Sequence, residues 1–146
     1  DHLGLEAALR QYSRSAGAKF GLEVRFKARG LPSERFPTEV ETALYRVVQE
    51  AMTNVVRHAR ATRVDVLLQR RGDRVVVTVE DDGRGPDAEI LDPRCAGRLT
   101  EAGHHGLQIM RERAGRAGGR LQISALPGGG TRVTLTVEQL QPAAPR

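Results

Sequence analysis

The sequence has 146 residues, a length that suits one domain with a single hydrophobic core. Its 23 basic residues outnumber its 18 acidic ones, which gives a net charge of +5, and arginine supplies almost all of the positive charge. No apolar run approaches the roughly 18 residues of a membrane span, and the single cysteine, Cys95, excludes an internal disulfide and fits a reducing compartment.

A basic composition can indicate nucleic acid binding. The arginines are, however, scattered along the sequence and are not interleaved with aromatic residues, which form only 3% of the chain. We therefore expect a solvated basic surface and no nucleic acid partner.

The start of the chain predicts a helix followed by a strand. Apolar residues at helical spacing indicate a helix from Leu3 to Ala16, and Gly17 is expected to end it. Apolar and charged residues then alternate from Glu23 to Ala28, a pattern typical of a half-buried strand.

A second helix is predicted from Glu39 to Arg57. Thr38 is expected to cap its N-terminus, and Glu41 would complete a capping box. Five apolar residues at helical spacing form its predicted buried stripe: Leu44, Val47, Val48, Ala51 and Val55.

The remaining chain predicts four strands and one helix. The strands are expected at Val64–Leu68, Val75–Val79, Leu121–Ala125 and Val133–Val137, and the helix at His104–Ala117. Pro86 to Gly103 has no periodicity and predicts a long loop, a kind of segment that is usually functional or disordered. Gln139–Arg146 predicts a frayed tail.

This order of elements predicts an α+β fold, a two-layer α/β sandwich. Helices would cover one face of a mixed sheet, and the clean alternation of the strands requires the other face to meet water. We place the domain at residues 1–140 and the tail at 141–146.

Four short segments occur in a fixed order. The first is Glu50-x-x-x-Asn54-x-x-Arg57-His58-Ala59, on the second predicted helix. The others are Asp81-Asp82-Gly83-Arg84-Gly85, Gly103-His104-His105-Gly106-Leu107 and Pro127-Gly128-Gly129-Gly130-Thr131. Taken alone, they fit a solvated helix edge, a common turn, an ordinary helix entry and a plain hairpin.

Taken together, the four segments resemble the N box and the three glycine boxes of the histidine-kinase ATPase domain. Its superfamily also includes gyrase, heat-shock chaperone and mismatch-repair ATPases. The resemblance implies a Bergerat-type fold that binds ATP and Mg²⁺, with residues 86–105 as the ATP lid. The segment Leu107–Ala114 further resembles the helix after the lid in sensor kinases of the nitrate-sensor and desaturase-sensor types.

The side chains of the first segment suit a metal-bound phosphate. Positions 50, 54 and 58 fall within about 80° of one another on a helix, so they can reach one ligand. The amide oxygen of Asn54 suits Mg²⁺, and Arg57 and His58 can donate hydrogen bonds to phosphate. Glu50 can orient a metal-bound water, and we assign it as the catalytic residue. By resemblance, Asn54 matches the magnesium ligand.

The second segment suits adenine. An ionised Asp81 only accepts hydrogen bonds, so it can take the exocyclic amine of adenine, whereas guanine has a carbonyl at that position. Gly83 and Gly85 permit close approach of the backbone to the ring. Asp82 stands where the family usually has asparagine, and we expect it to add a negative charge near the pocket.

The third and fourth segments complete the predicted ATP site. Gly106 and Leu107 begin a helix whose N-terminal amides can donate to phosphates, and His105 can contact the same groups. Thr131 matches a threonine that helps to hold water beside adenine in relatives. Some of the basic charge is expected to attract nucleotide phosphates.

The resemblance implies the catalytic domain of a bacterial sensor histidine kinase in the cytoplasm, whether or not the parent protein is anchored in the inner membrane. Its phosphoacceptor histidine would lie on a separate dimerisation hairpin, and residues 1–17 resemble the stretch that follows that hairpin. We therefore expect the isolated domain to be monomeric and inactive in autophosphorylation. The full-length protein would be a homodimer, with a response regulator as an indirect partner.

Three other functions stay open. An anti-sigma serine kinase of the same superfamily would be a small free-standing domain without the Met110–Ala114 segment. A non-catalytic nucleotide-binding docking module would not require Glu50, Asn54 and Asp81 to be present together. A nucleic acid-binding domain would instead show weak ATP affinity and salt-sensitive DNA binding.

Overall fold

The computed structural model describes residues 4–31, 35–92, 94 and 105–138. Cys95, His104, most of the predicted lid and the predicted tail lie outside the described residues. The elements in chain order are α1 (Gly4–Phe20), β1 (Glu23–Arg29), α2 (Thr38–Asn54), a π-helical turn (Val55–Ala59), β2 (Arg63–Arg71), β3 (Arg74–Asp81), α3 (Ala88–Leu91), α4 (His105–Arg116), β4 (Gly119–Ala125) and β5 (Thr131–Val137). No helix in the described residues is long and apolar enough to cross a membrane.

The strands form one mixed sheet in the order β1-β2-β3-β5-β4. β1 pairs with β2 in parallel, and the other three pairs are antiparallel. A parallel pair needs a long crossover connection, and α2 lies in the connection between β1 and β2. The predicted α+β class with a mixed sheet is confirmed.

The core lies between one face of the sheet and the helices. Alternate residues of the two central strands are buried there: Val64, Val66, Leu68, Val75, Val77 and Val79. The predicted stripe of α2 packs into the same core, and each of its five residues is at most 5% exposed. Burying an aliphatic side chain of this size contributes about 1.5–3 kcal/mol, so this layer is the main source of stability.

The first helix is longer than predicted, because Gly17 does not end it. A Cβ at Gly17 would come within 3.0 Å of the Leu22 carbonyl oxygen, so the glycine allows close contact with the chain that enters β1. The helix ends instead before Gly21, whose φ of +67° suits a glycine after a helix C-terminus.

The predicted capping box is wrong. Pro37 precedes α2 as its N-cap without a side-chain hydrogen bond, and Thr38 is already helical. In a capping box the glutamate accepts a hydrogen bond from the backbone N–H of the N-cap residue, and proline has no backbone N–H. The buried Glu41 instead accepts a hydrogen bond from the Phe36 N–H at 3.1 Å and a bifurcated one from the single N–H of Arg35 Nε, which lies 3.0 Å from each carboxylate oxygen.

Two further boundaries differ from those predicted. α2 ends at Asn54, and the π-helical turn that follows leads to Arg60, which has a left-handed φ of +52°. Within the predicted long loop, Ala88–Leu91 forms the short helix α3. A single helical turn is too short for periodicity to reveal.

Replacing Glu41 by alanine should lower the free energy of unfolding by about 1–3 kcal/mol, because a hydrogen bond to a buried charged group is lost. Glu39→Ala is the matched control, since Glu39 is exposed in the same first turn of α2 and the change removes the same charge. Urea denaturation measures both losses. If the two variants lose the same free energy of unfolding, the hydrogen bonds of Glu41 to Arg35 and Phe36 do not stabilise the fold.

Candidate functional site

A cleft lies between the C-terminal part of α2 and the sheet, and all four sequence segments contribute to it. It encloses about 660 Å³, its open mouth included. Its polar side chains are Asn54, His58, Asp81, Arg84, Asp87 and Thr131. Its apolar lining comprises Ala51, Val55, Val79, Pro86, Ile90, Leu107, Ile123 and Val133.

α2 and the π-helical turn present one side to the cleft, on which Asn54 and His58 lie. Arg57 is exposed and does not line the cleft, because adjacent helical residues point about 100° apart. Glu50 does not line it either. The predicted stripe of residues 50, 54 and 58 is therefore divided: Asn54 and His58 line the cleft, and Glu50, one turn before Asn54, lies outside its lining.

Glu50 lies against the start of α4. A Cβ at Gly106 would overlap Glu50 Oε1 and would come 3.5 Å from Asn54 Oδ1. A side chain at Gly106 would therefore require the Glu50 carboxylate to move, whereas its contact with Asn54 would be an ordinary one. The Glu50 carboxylate also lies near the N-terminal turn of α4, where a negative charge is favoured. Glu50, the predicted catalytic residue, and Asn54, the predicted metal ligand, thus both lie beside the backbone of Gly106.

Asp81 ends β3 and is only 7% exposed. Its Oδ1 accepts a hydrogen bond from the Gly83 N–H at 2.8 Å. Burial raises the pKa of Asp81 above its usual value, while hydrogen bonds from the Gly83 and Thr131 N–H groups act in the opposite direction. A carboxylate has about four lone-pair positions, so Asp81 can still accept a hydrogen bond from a ligand.

The second and fourth segments pack directly on each other. Gly130 has a φ of +108°, and a Cβ there would overlap the Asp81 carbonyl oxygen. Gly85 has a φ of +91°, and a Cβ there would lie 3.5 Å from the Gly130 carbonyl oxygen. Only glycine combines this conformation with so close an approach. The contact brings Thr131 beside Asp81.

Asp82 lies outside the cleft lining. Its carboxylate accepts hydrogen bonds from the Arg63 N–H at 3.0 Å and from the N–H and hydroxyl of Thr62 at 2.8 and 2.7 Å. These bonds, first of all that from Arg63, lower the pKa of Asp82 to about 2. The Asp82 carboxylate, which was expected to add a charge near the pocket, therefore binds the residues at the start of β2. Its charge still raises the pKa of Asp81 through space.

Arg84 lines the cleft but was not among the predicted site residues. Its Nε donates to the His58 carbonyl oxygen at 2.6 Å, and its Nη1 donates to Asp87 Oδ1 at 2.9 Å. One guanidinium thus joins the π-helical turn to the residue that precedes α3. The position of Arg84 between two glycines was visible in the sequence, but its partner His58 is 26 residues away.

Several apolar cleft residues were also missed. Ile123 and Val133 are paired in the β4–β5 hairpin, so the register of that hairpin was the signal that could have indicated them together. Ile90 belongs to α3, which was not predicted. Among the predicted ligands, Gly83 lies beside the cleft through its bond to Asp81. The side chain of His105 lies outside the described residues.

The sequence agrees with one known protein family over most of its length. Residues 39–141 match the family of histidine kinase-, DNA gyrase B- and HSP90-like ATPases. The chain belongs to this ATPase family. The match includes the residues of all four segments, so the cleft that they line lies within the family's ATPase domain.

The ATPase domain is similar to known histidine kinases. It is 34% identical over 137 residues to the signal transduction histidine-protein kinase/phosphatase DegS of Brevibacillus brevis, which covers 94% of this chain and 33% of DegS. It is 35% identical over 137 residues to an uncharacterized sensor-like histidine kinase of Chloroflexus aurantiacus, covering 92% of this chain and 22% of that protein. The chain thus spans a third or less of these relatives.

A solved structure shows the same fold. The histidine kinase domain of the Erythrobacter litoralis EL346 blue-light activated histidine kinase has a TM-score of 0.69 and 27% sequence identity, and the match covers 93% of this chain and 61% of that domain. Membership of the nitrate-sensor and desaturase-sensor types stays a prediction.

Asp82 should make the stability of the ATPase domain depend on pH. Its pKa is lower in the folded chain than the usual value near 4. The stabilisation is therefore complete above about pH 4 and is lost as the pH falls toward 2. Asp82→Asn should be less stable than the parent near neutral pH, and the difference should shrink in acid.

Thermal unfolding across this pH range measures the difference. Asp73→Asn, in the exposed β2–β3 turn, is the control for the loss of one negative charge. If the gap between the parent and Asp82→Asn stays constant down to pH 2, the hydrogen bonds to Thr62 and Arg63 do not stabilise the fold through the ionised carboxylate.

Proposed function

We propose that this chain is the catalytic ATP-binding domain of a two-component sensor histidine kinase. It would hold Mg-ATP and present the γ-phosphate to a histidine on a separate dimerisation domain. The main support is that Asn54, Asp81 and Thr131, which come from three distant segments, line a single cleft. Membership of the ATPase family and the histidine kinases among the relatives agree with the proposal. The cytoplasm, which contains ATP, is the proposed location.

Adenine would bind against Asp81 and the apolar wall of the cleft. The remaining lone pairs of Asp81 would accept the exocyclic amine, whereas the carbonyl of guanine would face the carboxylate without a proton between them. Val79, Ile123 and Val133 would cover the ring and remove it from water. The hydroxyl of Thr131 would hold a water molecule beside the ring.

The start of α4 fits a metal-bound triphosphate. Asn54 offers a neutral oxygen of the kind that Mg²⁺ prefers. The described residues contain no group of three or more His, Cys, Asp or Glu side chains that could hold a metal alone. The metal would therefore take its other ligands from phosphate and water, and Glu50 would orient a bound water. Backbone N–H groups near Gly106 would donate to phosphate oxygens.

The proposed reaction transfers the γ-phosphoryl group to a histidine nitrogen and leaves ADP. Bound Mg²⁺ would supply charge neutralisation, and the chain would contribute mainly positioning. His58, Arg57 and His105 would donate hydrogen bonds to phosphate, while residues 86–105 would close over it. The acceptor histidine and its activating base would belong to the dimerisation domain, so residues 1–140 alone would bind nucleotide without autophosphorylation.

The domain should prefer ATP to GTP, and Asp81→Asn should weaken ATP binding by about 1–3 kcal/mol through loss of a charged hydrogen bond. Asp82→Asn is the matched control, because it makes the same chemical change one residue away and outside the cleft lining. Isothermal titration with both nucleotides measures the preference. Equal curves for ATP and GTP on the parent would refute the assignment of Asp81.

Asn54→Ala should bind adenosine as the parent does but should lose the additional affinity that Mg²⁺ gives to ATP, because the metal loses its protein ligand. Gln49→Ala is the control, since it removes an amide from the same helix outside the cleft lining. The measurement is the shift in melting temperature with ATP, in EDTA and in Mg²⁺. A magnesium response in Asn54→Ala equal to that of the parent would place the metal ligand elsewhere.

A further inference from the structure

The cations that are scattered along the sequence collect on one face of the sheet. This open face, which the helices do not cover, carries eight cationic side chains within its strands, Arg25, Lys27, Arg29, Arg63, Arg71, Arg74, Arg120 and Arg132, against three acidic ones, Glu23, Asp65 and Glu80. Glu138, which follows β5 on the same side, adds a fourth acidic group, so the open face keeps a clear excess of positive charge.

The charges on the open face are also sorted along the strands. The three acidic residues within the strands lie toward the Asp81 end of the sheet, and each is paired with an arginine: Glu23 with Arg25, Asp65 with Arg63 and Glu80 with Arg132. Five cations lie toward the opposite end, and we call Lys27, Arg29, Arg71, Arg74 and Arg120 the cationic patch. The cationic end is therefore the end remote from the nucleotide cleft.

The cationic patch is only partly neutralised within the described part of the chain. Lys27, Arg29, Arg71 and Arg120 form no hydrogen bond or ion pair with another described residue, and Arg74 reaches Glu138 only at 3.9 Å. Arg71 also lies directly opposite Arg74 in the β2–β3 pair. Like charges in opposite positions destabilise a sheet, and an acidic partner would relieve this repulsion.

We propose that the open face docks an acidic protein surface, with the cationic patch as its electrostatic anchor. A half-buried strip of Leu67, Val76 and Thr78 adjoins the patch. A shallow depression lies over Leu67 and Thr78 and is bordered by Lys27 and Arg29. Apolar residues at the centre with arginine beside them are typical of protein–protein interfaces.

The open face suits other occupants less well. A nucleic acid or an anionic membrane would interact favourably with the cations alone. The ion pairs already neutralise about half of the face, so little of it is left for such a partner. The face has no aromatic side chain on which bases could stack. A second copy of the chain would bring a face of the same net charge.

The dimensions of the open face indicate a weak and transient complex. Five strands about 4.8 Å apart and seven residues at about 3.3 Å each give a face of roughly 24 by 23 Å, or about 550 Å². A standard interface buries about 800 Å² on each partner. The open face and the nucleotide cleft lie on opposite sides of the sheet, so the docking proposal does not depend on the proposed function.

Two acidic peptides provide the probe. One combines glutamate with leucine, and in the other serine replaces every leucine. Amide chemical shifts of the labelled chain should change on the open face and not in the cleft when the leucine peptide is added, and salt should weaken the binding. The leucine peptide should bind more tightly than the serine peptide, duplex DNA or vesicles that contain phosphatidylglycerol.

A pair of double variants tests the location. Lys27→Glu with Arg71→Glu should weaken binding of the leucine peptide by about tenfold or more. Arg14→Glu with Arg111→Glu makes the same charge change on exposed positions of α1 and α4 and should leave the affinity close to that of the parent. All four positions are exposed, and cooperative thermal unfolding checks that both variants fold.

The proposal is wrong if both double variants weaken binding equally, because bulk charge then explains it. It is also wrong if the serine peptide, DNA or vesicles bind the open face as tightly as the leucine peptide does, since the face would then recognise any polyanion. Absence of binding by the leucine peptide at low salt would equally overturn it.

Discussion

Side chains along β3 point alternately to the two faces of the sheet, so only every second residue can place a carboxylate in the cleft. Val75, Val77 and Val79 point into the helical layer, and Asp81 must point the same way because it follows Val79 by two residues. Asp82 therefore leaves the strand on the other side. A shift of one residue would exchange the two carboxylates. The proposed adenine contact of Asp81 and the hydrogen bonds of Asp82 at the entry to β2 thus depend on the same register, which β2 and β5 fix from both sides.

Two glycines convert this register into a site by different means. Gly130 is required by its backbone conformation and by the Asp81 carbonyl oxygen beneath it, so that Thr131 begins β5 next to Asp81. A side chain at Gly106 would instead displace the Glu50 carboxylate. Side chains introduced at the two positions would therefore disturb opposite ends of the cleft, the proposed adenine end and the proposed phosphate end.

Periodicity predicted the layers of the fold well, because the buried residues of α2, β2 and β3 recur at regular spacing along the chain. The segments that meet in the cleft were also found, because their residue types have few other uses in that order. The partners of Glu41, the role of Gly17 and the bonds of Arg84 could not be predicted in the same way. Each depends on a contact between two segments, and the spacing of residues within one segment does not reveal which other segment lies next to it.

The sorting of charge gives the molecule two electrically different sides. The unpaired cations of the patch lie on the sheet face away from the helices, and the cleft lies on the other side of the sheet. The expectation that some of the basic charge attracts nucleotide phosphates stays a prediction. A triphosphate in the cleft would be held by short-range contacts with the residues that line it. An acidic protein would be drawn to the other side over a longer distance and would be more sensitive to ions in solution. A change in ionic strength would then release the protein partner before the nucleotide.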